Sequence, residues 1–234
     1  PHPRFVGSSG MGPRGDVIVE ADWCVGEFIK TLEEEGLLEN TLVVFSSDNG
    51  PVVNDGYYDD AVEKLGEHTP WGPLRGGKYS LFEAGTRVPF IVYWEGKIKP
   101  VKSDALVSQL DIMSSLAELV GSKTKGPDSK KLLDVFMGKS QDGRDELVLE
   151  ATSRTALRKG KWIMIPPYKG PAVNKNVNIE LGNSPEFLLY NLETDLGQQE
   201  NLAEEKPKML KEMVNTFEKV RGKEFGNIEQ LELK

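Results

Sequence analysis

The strongest constraint in the chain is a short, mostly apolar run, Thr41-Leu42-Val43-Val44-Phe45-Ser46-Ser47, that stops at Asp48-Asn49-Gly50-Pro51. A surface helix interrupts its apolar residues every two or three positions. A strand buried on both faces does not, and strands of parallel sheets read this way. The stop leaves polar groups at the C-terminal end of a strand, where open α/β sheets hold their ligands. Before it, Val17, Ile18, Ala21, Val25, Phe28, Ile29 and Leu32 recur at steps of three and four. That spacing predicts a helix over 15–36 with one apolar face, closed by Gly36.

After the turn, residues 52–79 carry no periodic pattern and are rich in Gly, Pro, Asp and Tyr. Connections of this length are usually functional or mobile. The segment Arg87–Trp94 reads as a second strand. Residues 104–120 contain an amphipathic helix, with Asp111 as N-cap and Gly121 as stop. Strands and helices in alternation predict an α/β unit with a mostly parallel sheet flanked by helices.

The pattern changes near residue 122. Lys123–Lys131 reads as a polar linker. Four short strands follow, at Leu147–Ala151, Thr155–Arg158, Lys161–Ile165 and Phe187–Asn191, with a turn at Lys159-Gly160 and a polar excursion over 166–186. Pro207–Arg221 closes as a helix with Met209, Leu210, Met213, Val214 and Phe217 on one face. The expected division is an α/β unit over 1–122 and a small α+β subdomain over 123–234, with an antiparallel sheet and a C-terminal helix.

The net charge of −8 disfavours nucleic acid as a partner, because such binding runs on Lys and Arg against phosphates. An anionic substrate would need a local basic pocket. No apolar run approaches the roughly 20 residues of a membrane span. The single cysteine, Cys24, can form no internal disulfide and is expected to pack in the core. The chain has no HExxH, CxxC pair, phosphate loop or GxSxG, which removes support from zinc proteases, zinc modules, P-loop NTPases and ordinary serine hydrolases.

Three clusters can carry chemistry. Asp48-Asn49 offers a carboxylate and an amide carbonyl to a hard cation such as calcium, although Asp-Asn-Gly is also a common turn. Leu74-Arg75-Gly76-Gly77-Lys78 sets two cations beside glycines that let backbone approach an oxyanion; the alternative is a glycine loop with solvated charges. In Glu83-Ala84-Gly85-Thr86-Arg87, Glu83 is placed to pair with Arg75, Lys78 or Arg87, and a purely structural ion pair is the simpler reading. Two histidines complete the set, His2 at the chain start and His68 in the long loop. That loop also holds Tyr57, Tyr58 and Trp71, aromatic groups able to stack on sugar or aryl rings.

Taken in order, these pieces resemble the type I sulfatases, the arylsulfatase-like members of the alkaline-phosphatase-like group. The resemblance runs through Gly36-Leu37-Leu38-Glu39-Asn40 into Asp48-Asn49-Gly50, then Gly72-Pro73-Leu74-Arg75-Gly76-Gly77-Lys78. Phe82-Glu83-Ala84-Gly85-Thr86-Arg87-Val88-Pro89 follows, with Ala84 where the family has glycine. Thr155–Trp162, Leu189–Asp195 and Glu200–Ala203 resemble the C-terminal signature. The resemblance implies a calcium site to which Asp48 and Asn49 contribute, and a catalytic, sulfate-binding Lys78. The further candidate substrate contacts are Arg75, from the charges of the glycine cluster, and His68 and Trp71, from the long loop. The family's nucleophile is a formylglycine in an upstream Cys/Ser-x-Pro-x-Arg motif, which this sequence lacks, and further calcium ligands and a His-x-Pro histidine also lie upstream. His2-Pro3 falls too close to Asp16 to match that element well. Asp55 and Asp59 are the carboxylates available to enlarge the calcium site.

The chain is therefore expected to be the C-terminal part of a sulfatase acting on an aryl or carbohydrate sulfate, inactive alone, with an incomplete calcium site. The family resemblance implies a periplasmic or extracellular setting. Its partners would be a sulfated small molecule or glycan, and either the missing N-terminal part or a second copy at an exposed sheet edge. The alternatives are a fragment of a related phosphodiesterase or phosphonate hydrolase, or a non-catalytic binding domain on the same scaffold.

Overall fold

The computed structural model describes residues 1–222; positions 223–234 of the expected subdomain lie outside the described residues. Helix α1 (Gly12–Glu34) carries Pro13 in its first turn, where the missing N–H costs nothing. Its predicted apolar face is only partly covered, with Val25, Ile29 and Leu32 half-buried. Val17, Ile18 and Phe28 are exposed, and only Gly15 and Asp16 are buried. Cys24 is exposed as well, against the expectation of core packing, because no second layer lies over its side of the helix among the described residues.

Strand β1 (Val43–Ser46) runs into the Asp48-Asn49 turn. The chain returns through a one-turn helix, α2 (Glu83–Thr86), and enters β2 (Phe90–Tyr93). The two strands pair antiparallel, with Val43 opposite Tyr93 and Ser46 opposite Phe90. This corrects the expected parallel arrangement, and no parallel pair occurs among the described residues. The physical reason is local. The Gly50 amide donates to the Gly85 carbonyl at 2.9 Å, so α2 is tied to the end at which β1 finishes. A strand leaving α2 beside that end can only run back along β1.

Helix α3 (Asp111–Leu119) begins at Asp111, and its N-cap is Leu110. Asp111 is not the cap the sequence suggested. Its fully buried carboxylate accepts the Ser108 and Lys130 amides at 2.9 and 2.8 Å and the Arg144 Nε at 2.8 Å. The expected linker over 123–131 is thereby strapped onto α3, helped by the Ser115 hydroxyl accepting the Leu132 amide at 2.9 Å. The short helix α4 (Leu133–Phe136) then buries Val135 and Phe136, with Leu132, against Phe90, Val92 and Ile112.

The rest of the described chain is built on an antiparallel sheet. Its strands are β3 (Glu146–Ala151), β4 (Arg154–Lys159), β5 (Trp162–Ile165) and β8 (Leu188–Asn191), paired in that order. Thr152 and Ser153 both take positive φ in the two-residue turn between β3 and β4, as a hairpin of that length requires. Within the excursion over 166–186, β6 (Val173–Asn174) pairs with β7 (Ile179–Glu180). Side-chain alternation gives the main sheet two apolar faces. Leu157, Met164 and Leu189 face helix α5 (Pro207–Arg221) and pack with Met213 and Phe217. Ala156, Ile163, Ile165 and Tyr190 face the other way and pack on Leu81 and Phe82, which immediately precede α2. The sheet is thus the platform on which the Lys78–Arg87 segment rests.

The Asp111–Arg144 pair is almost fully removed from water, with side-chain exposures of 0% and 8%. Removing one partner of such a pair leaves an uncompensated buried charge and typically costs about 3–5 kcal/mol. Arg144→Ala is expected to lower the unfolding free energy, measured by urea denaturation, by that order, with Glu118→Ala, at an exposed position of α3, near neutral as a control. An Arg144→Ala unfolding free energy within about 1 kcal/mol of the parent would contradict this.

Candidate functional site

Three loops meet where β1 ends: 48–51, 75–78 and 83–87. Backbone bonds knit them together. Besides the Gly50–Gly85 bond, the Lys78 amide donates to the Pro51 carbonyl at 2.9 Å, and the Ala84 amide donates to the Arg75 carbonyl at 2.9 Å. Peptides can approach this closely only where side chains are absent. A Cβ on Gly50 would lie 1.6 Å from the Ala84 oxygen, and one on Gly85 would lie 2.1 Å from the Ser80 oxygen. Of the two glycines that the sequence set beside an oxyanion, Gly77 faces backbone instead, since its Cβ would lie 2.7 Å from the Pro51 oxygen.

Asp48 is exposed and Asn49 half-buried at the mouth of this frame. Asp48 Oδ1 accepts the Asn49 amide at 2.9 Å, and Asn49 Nδ2 donates to the Gly50 carbonyl at 2.9 Å. That leaves Asp48 Oδ2 and Asn49 Oδ1 as outward oxygens, a donor pair that fits a hard cation. They are two of the six to eight oxygens calcium takes. Among the described residues no group of three or more His, Cys, Asp or Glu is placed to hold a metal ion.

Lys78 is three-quarters buried and its ammonium donates to Asp55 Oδ2 at 3.1 Å. Tyr79 Oη donates to the other Asp55 oxygen at 3.1 Å. Tyr79 sits at φ +77°, a strained conformation for a bulky side chain that the surrounding structure must hold in place. Arg14 from α1 pins the same loop, through the Val53 carbonyl at 3.1 Å and Asp59 at 3.3 Å. The sequence brought Asp55 forward only as a spare cation ligand; its partner is Lys78.

Arg75 is committed elsewhere. Its Nε and Nη2 form a fork with the Glu180 carboxylate at 2.8 and 2.7 Å, and its Nη1 donates to the Gln198 carbonyl at 2.6 Å. The guanidinium also lies 4.2 Å above the Phe82 ring. Glu83, almost fully buried, pairs with Arg87 at 2.6 Å and with Arg158 at 3.1 Å, and its amide donates to Gln198 Oε1 at 2.7 Å. Sequence reasoning reached the Glu83–Arg87 pair, four positions apart. It missed Glu180, Gln198 and Arg158, because Arg75 and Glu180 stand 105 positions apart and no local pattern links them.

Trp71 and Arg75 line an open cleft of about 300 Å³ whose far wall is Asn178, Ile179 and Glu180. His68 is half-buried in the loop before it, and its ring makes no hydrogen bond among the described residues. Tyr57 and Tyr58 point into solvent.

The ion pairs set the charge states. Hydrogen bonding to Asp55, ahead of all other causes, raises the Lys78 ammonium above the ordinary lysine range. The same bond leads the causes that hold the Asp55 carboxyl below the ordinary aspartate range. A raised Lys78 contributes stability that is full below the unfolded lysine value and is lost as pH rises through the folded one. A depressed Asp55 contributes stability present above the unfolded value of about 3.9 and lost as pH falls through the folded one. The pair therefore persists across the neutral range. Asp55→Asn keeps the shape but removes the charge, so the Lys78 titration, followed through its 13Cε shift, is expected to fall toward the ordinary lysine value. An unchanged titration would show that Asp55 does not hold the ammonium.

Comparison with known proteins agrees with this frame. The chain matches the sulfatase family over residues 5–122. It is 45% identical over 225 residues to an N-acetylgalactosamine-6-O-sulfatase of Bacteroides thetaiotaomicron, covering 94% of this chain and 44% of that protein. It is 30% identical to human arylsulfatase A over 223 residues, covering 86% of this chain and 42% of that protein. A solved structure from work on glycosaminoglycan metabolism by Bacteroides thetaiotaomicron superposes with a TM-score of 0.91 at 44% identity, over 95% of this chain and 47% of that one. The chain thus spans less than half the length of these relatives. The fold is that of the alkaline-phosphatase-like sulfatases, and by the match over its first half the chain belongs to the sulfatase family.

Proposed function

We propose that this chain is the part of a carbohydrate sulfate-ester hydrolase that binds the sulfate group, and that the ester is a 6-O-sulfated N-acetylhexosamine. The observation that carries the reading is the Lys78–Pro51 backbone bond. It locks the loop of a buried, charged lysine onto the turn that displays the Asp48 and Asn49 oxygens. The named sugar rests on the relative that is 45% identical and is described as an N-acetylgalactosamine-6-O-sulfatase.

In this reading Asp48 Oδ2 and Asn49 Oδ1 supply two oxygens to a calcium ion, whose chemistry when bound is to draw charge from the sulfate oxygens. Lys78 donates an N–H hydrogen bond to a sulfate oxygen and keeps its positive charge where negative charge grows as the S–O bond breaks. Asp55 keeps that ammonium charged and aimed, and repels a sulfate that strays toward the loop. The tie of Arg75 to Glu180 keeps the Gly76-Gly77 backbone still, so the donor needs no reorganisation during reaction. The nucleophile expected for the family, a formylglycine, lies outside this chain, and nothing among Cys24, His2 and His68 takes its place in this reading.

Hydrolysis of N-acetylgalactosamine 6-sulfate by the full-length gene product that contains this chain is the test. Lys78→Ala is expected to lower kcat/KM about 10²–10³-fold, as loss of one electrostatic donor does, while the 234-residue chain alone shows no turnover. A Lys78→Ala variant within a few-fold of the parent would overturn the role given to Lys78.

A further inference from the structure

We infer that the cleft between Trp71 and β7 is a subsite for a second, uncharged sugar ring, the neighbour of the ring that bears the sulfate. The inference rests on the carbohydrate-sulfatase reading above and extends it to the substrate's length.

The cleft holds about 300 Å³, at the lower end of small-molecule sites. One wall is Trp71, an indole 38% exposed whose Nε1 has no partner among the described residues. A pyranose has one face made largely of C–H groups, and an exposed aromatic plane is the surface such a face packs on. The opposite wall is polar. The Asn178 amide makes no hydrogen bond among the described residues, and Gln199 donates only from Nε2, to the Gly197 carbonyl at 2.6 Å, leaving its Oε1 as an acceptor. Glu180 is nearly half exposed although it is forked to Arg75. An apolar plate facing amides and a carboxylate suits a ring with hydroxyls around its rim.

The charges argue for a neutral ring. Arg75 is the one cation lining the cleft, and Glu180 and the Gln198 carbonyl take one N–H from each of its three nitrogens, with the carboxylate balancing its charge. Hydrogen bonding to Arg75, which outweighs the opposing effect of burial, holds the Glu180 carboxyl below the ordinary glutamate range, so it stays ionised and disfavours a second anion. The position suits an oligosaccharide. Only Gly76 and Gly77 separate Arg75, in the wall, from Lys78, so at most about 11 Å of backbone lies between the cleft and the sulfate-binding lysine.

The test compares two probes by titration calorimetry on the 234-residue chain: N-acetylgalactosamine 6-sulfate, and the disaccharide in which a neutral galactose is joined to it. The disaccharide is expected to bind about tenfold more tightly. The variants act on the far wall. Asn178 sits at φ +53°, so Asn178→Gly removes the amide without straining the turn. Combined with Gln199→Ala, it should collapse the disaccharide's advantage to within about twofold. Lys78→Ala should weaken both probes in parallel and leave their ratio intact. A disaccharide that binds no tighter than the monosaccharide, or an advantage that survives the double variant, would overturn the subsite. A ratio that collapses in the double variant while Lys78→Ala changes neither probe would uphold the subsite and count against the function proposed for Lys78.

Discussion

The structure depends on three short loops packed backbone to backbone. Gly50 on Gly85, Lys78 on Pro51 and Ala84 on Arg75 are main-chain hydrogen bonds between segments that share no secondary structure. Each bond would leave two buried peptide groups unpaired if broken, which is costly away from water. The approach needs glycine where a Cβ would collide with carbonyl oxygen. From this frame follow the antiparallel course of β2, the exposure of Asp48 and Asn49 on one side, and the fixed root of Lys78.

A second layer of interactions keeps the frame seated. Leu81 and Phe82 bury themselves on the inner face of the four-stranded sheet. Arg75, Glu83 and Gln198 cross between the loops and the sheet through Glu180 and Arg158. Three ion pairs that bridge the halves, Arg75–Glu180, Glu83–Arg158 and Asp111–Arg144, are partly or almost wholly desolvated. They contribute orientation and specificity more than net stability, since desolvation offsets much of their attraction. The cleft beside Trp71 exists because β7 stands across from the same loop. Its place between the two halves also means that neither half alone defines it.

Much of this was legible in the sequence where a pattern repeats. The runs ending at Ser47 and Trp94 stand out as continuous apolar stretches, the four strands of the second half as short apolar stretches between turns and the helix Pro207–Arg221 by its period, and all appear as elements. Strand direction was not legible, because an apolar run says nothing of its neighbour's course; the turn chemistry at Gly50 and Gly85 decided it. Strands β6 and β7 are two residues each, too short for any period to show. The helical face of Val17, Ile18 and Phe28 was read correctly as a stripe and wrongly as covered, since periodicity reports a face and not what lies over it. Asp48, Asn49 and Lys78 were singled out through family spacing. Asp55 as the partner of Lys78, and Glu180 as the partner of Arg75, needed three dimensions.

The claim on which the rest stands is that the three loops form one cooperative unit. Native-state hydrogen exchange tests it through the amides of Gly50, Lys78 and Ala84. They should exchange slowly and with a common opening free energy. In Gly85→Ala they should be lost together, while the amides of β4, β5 and α5 keep their protection. Independent exchange at the three amides, or a Gly85→Ala variant in which only one of them quickens, would contradict the account.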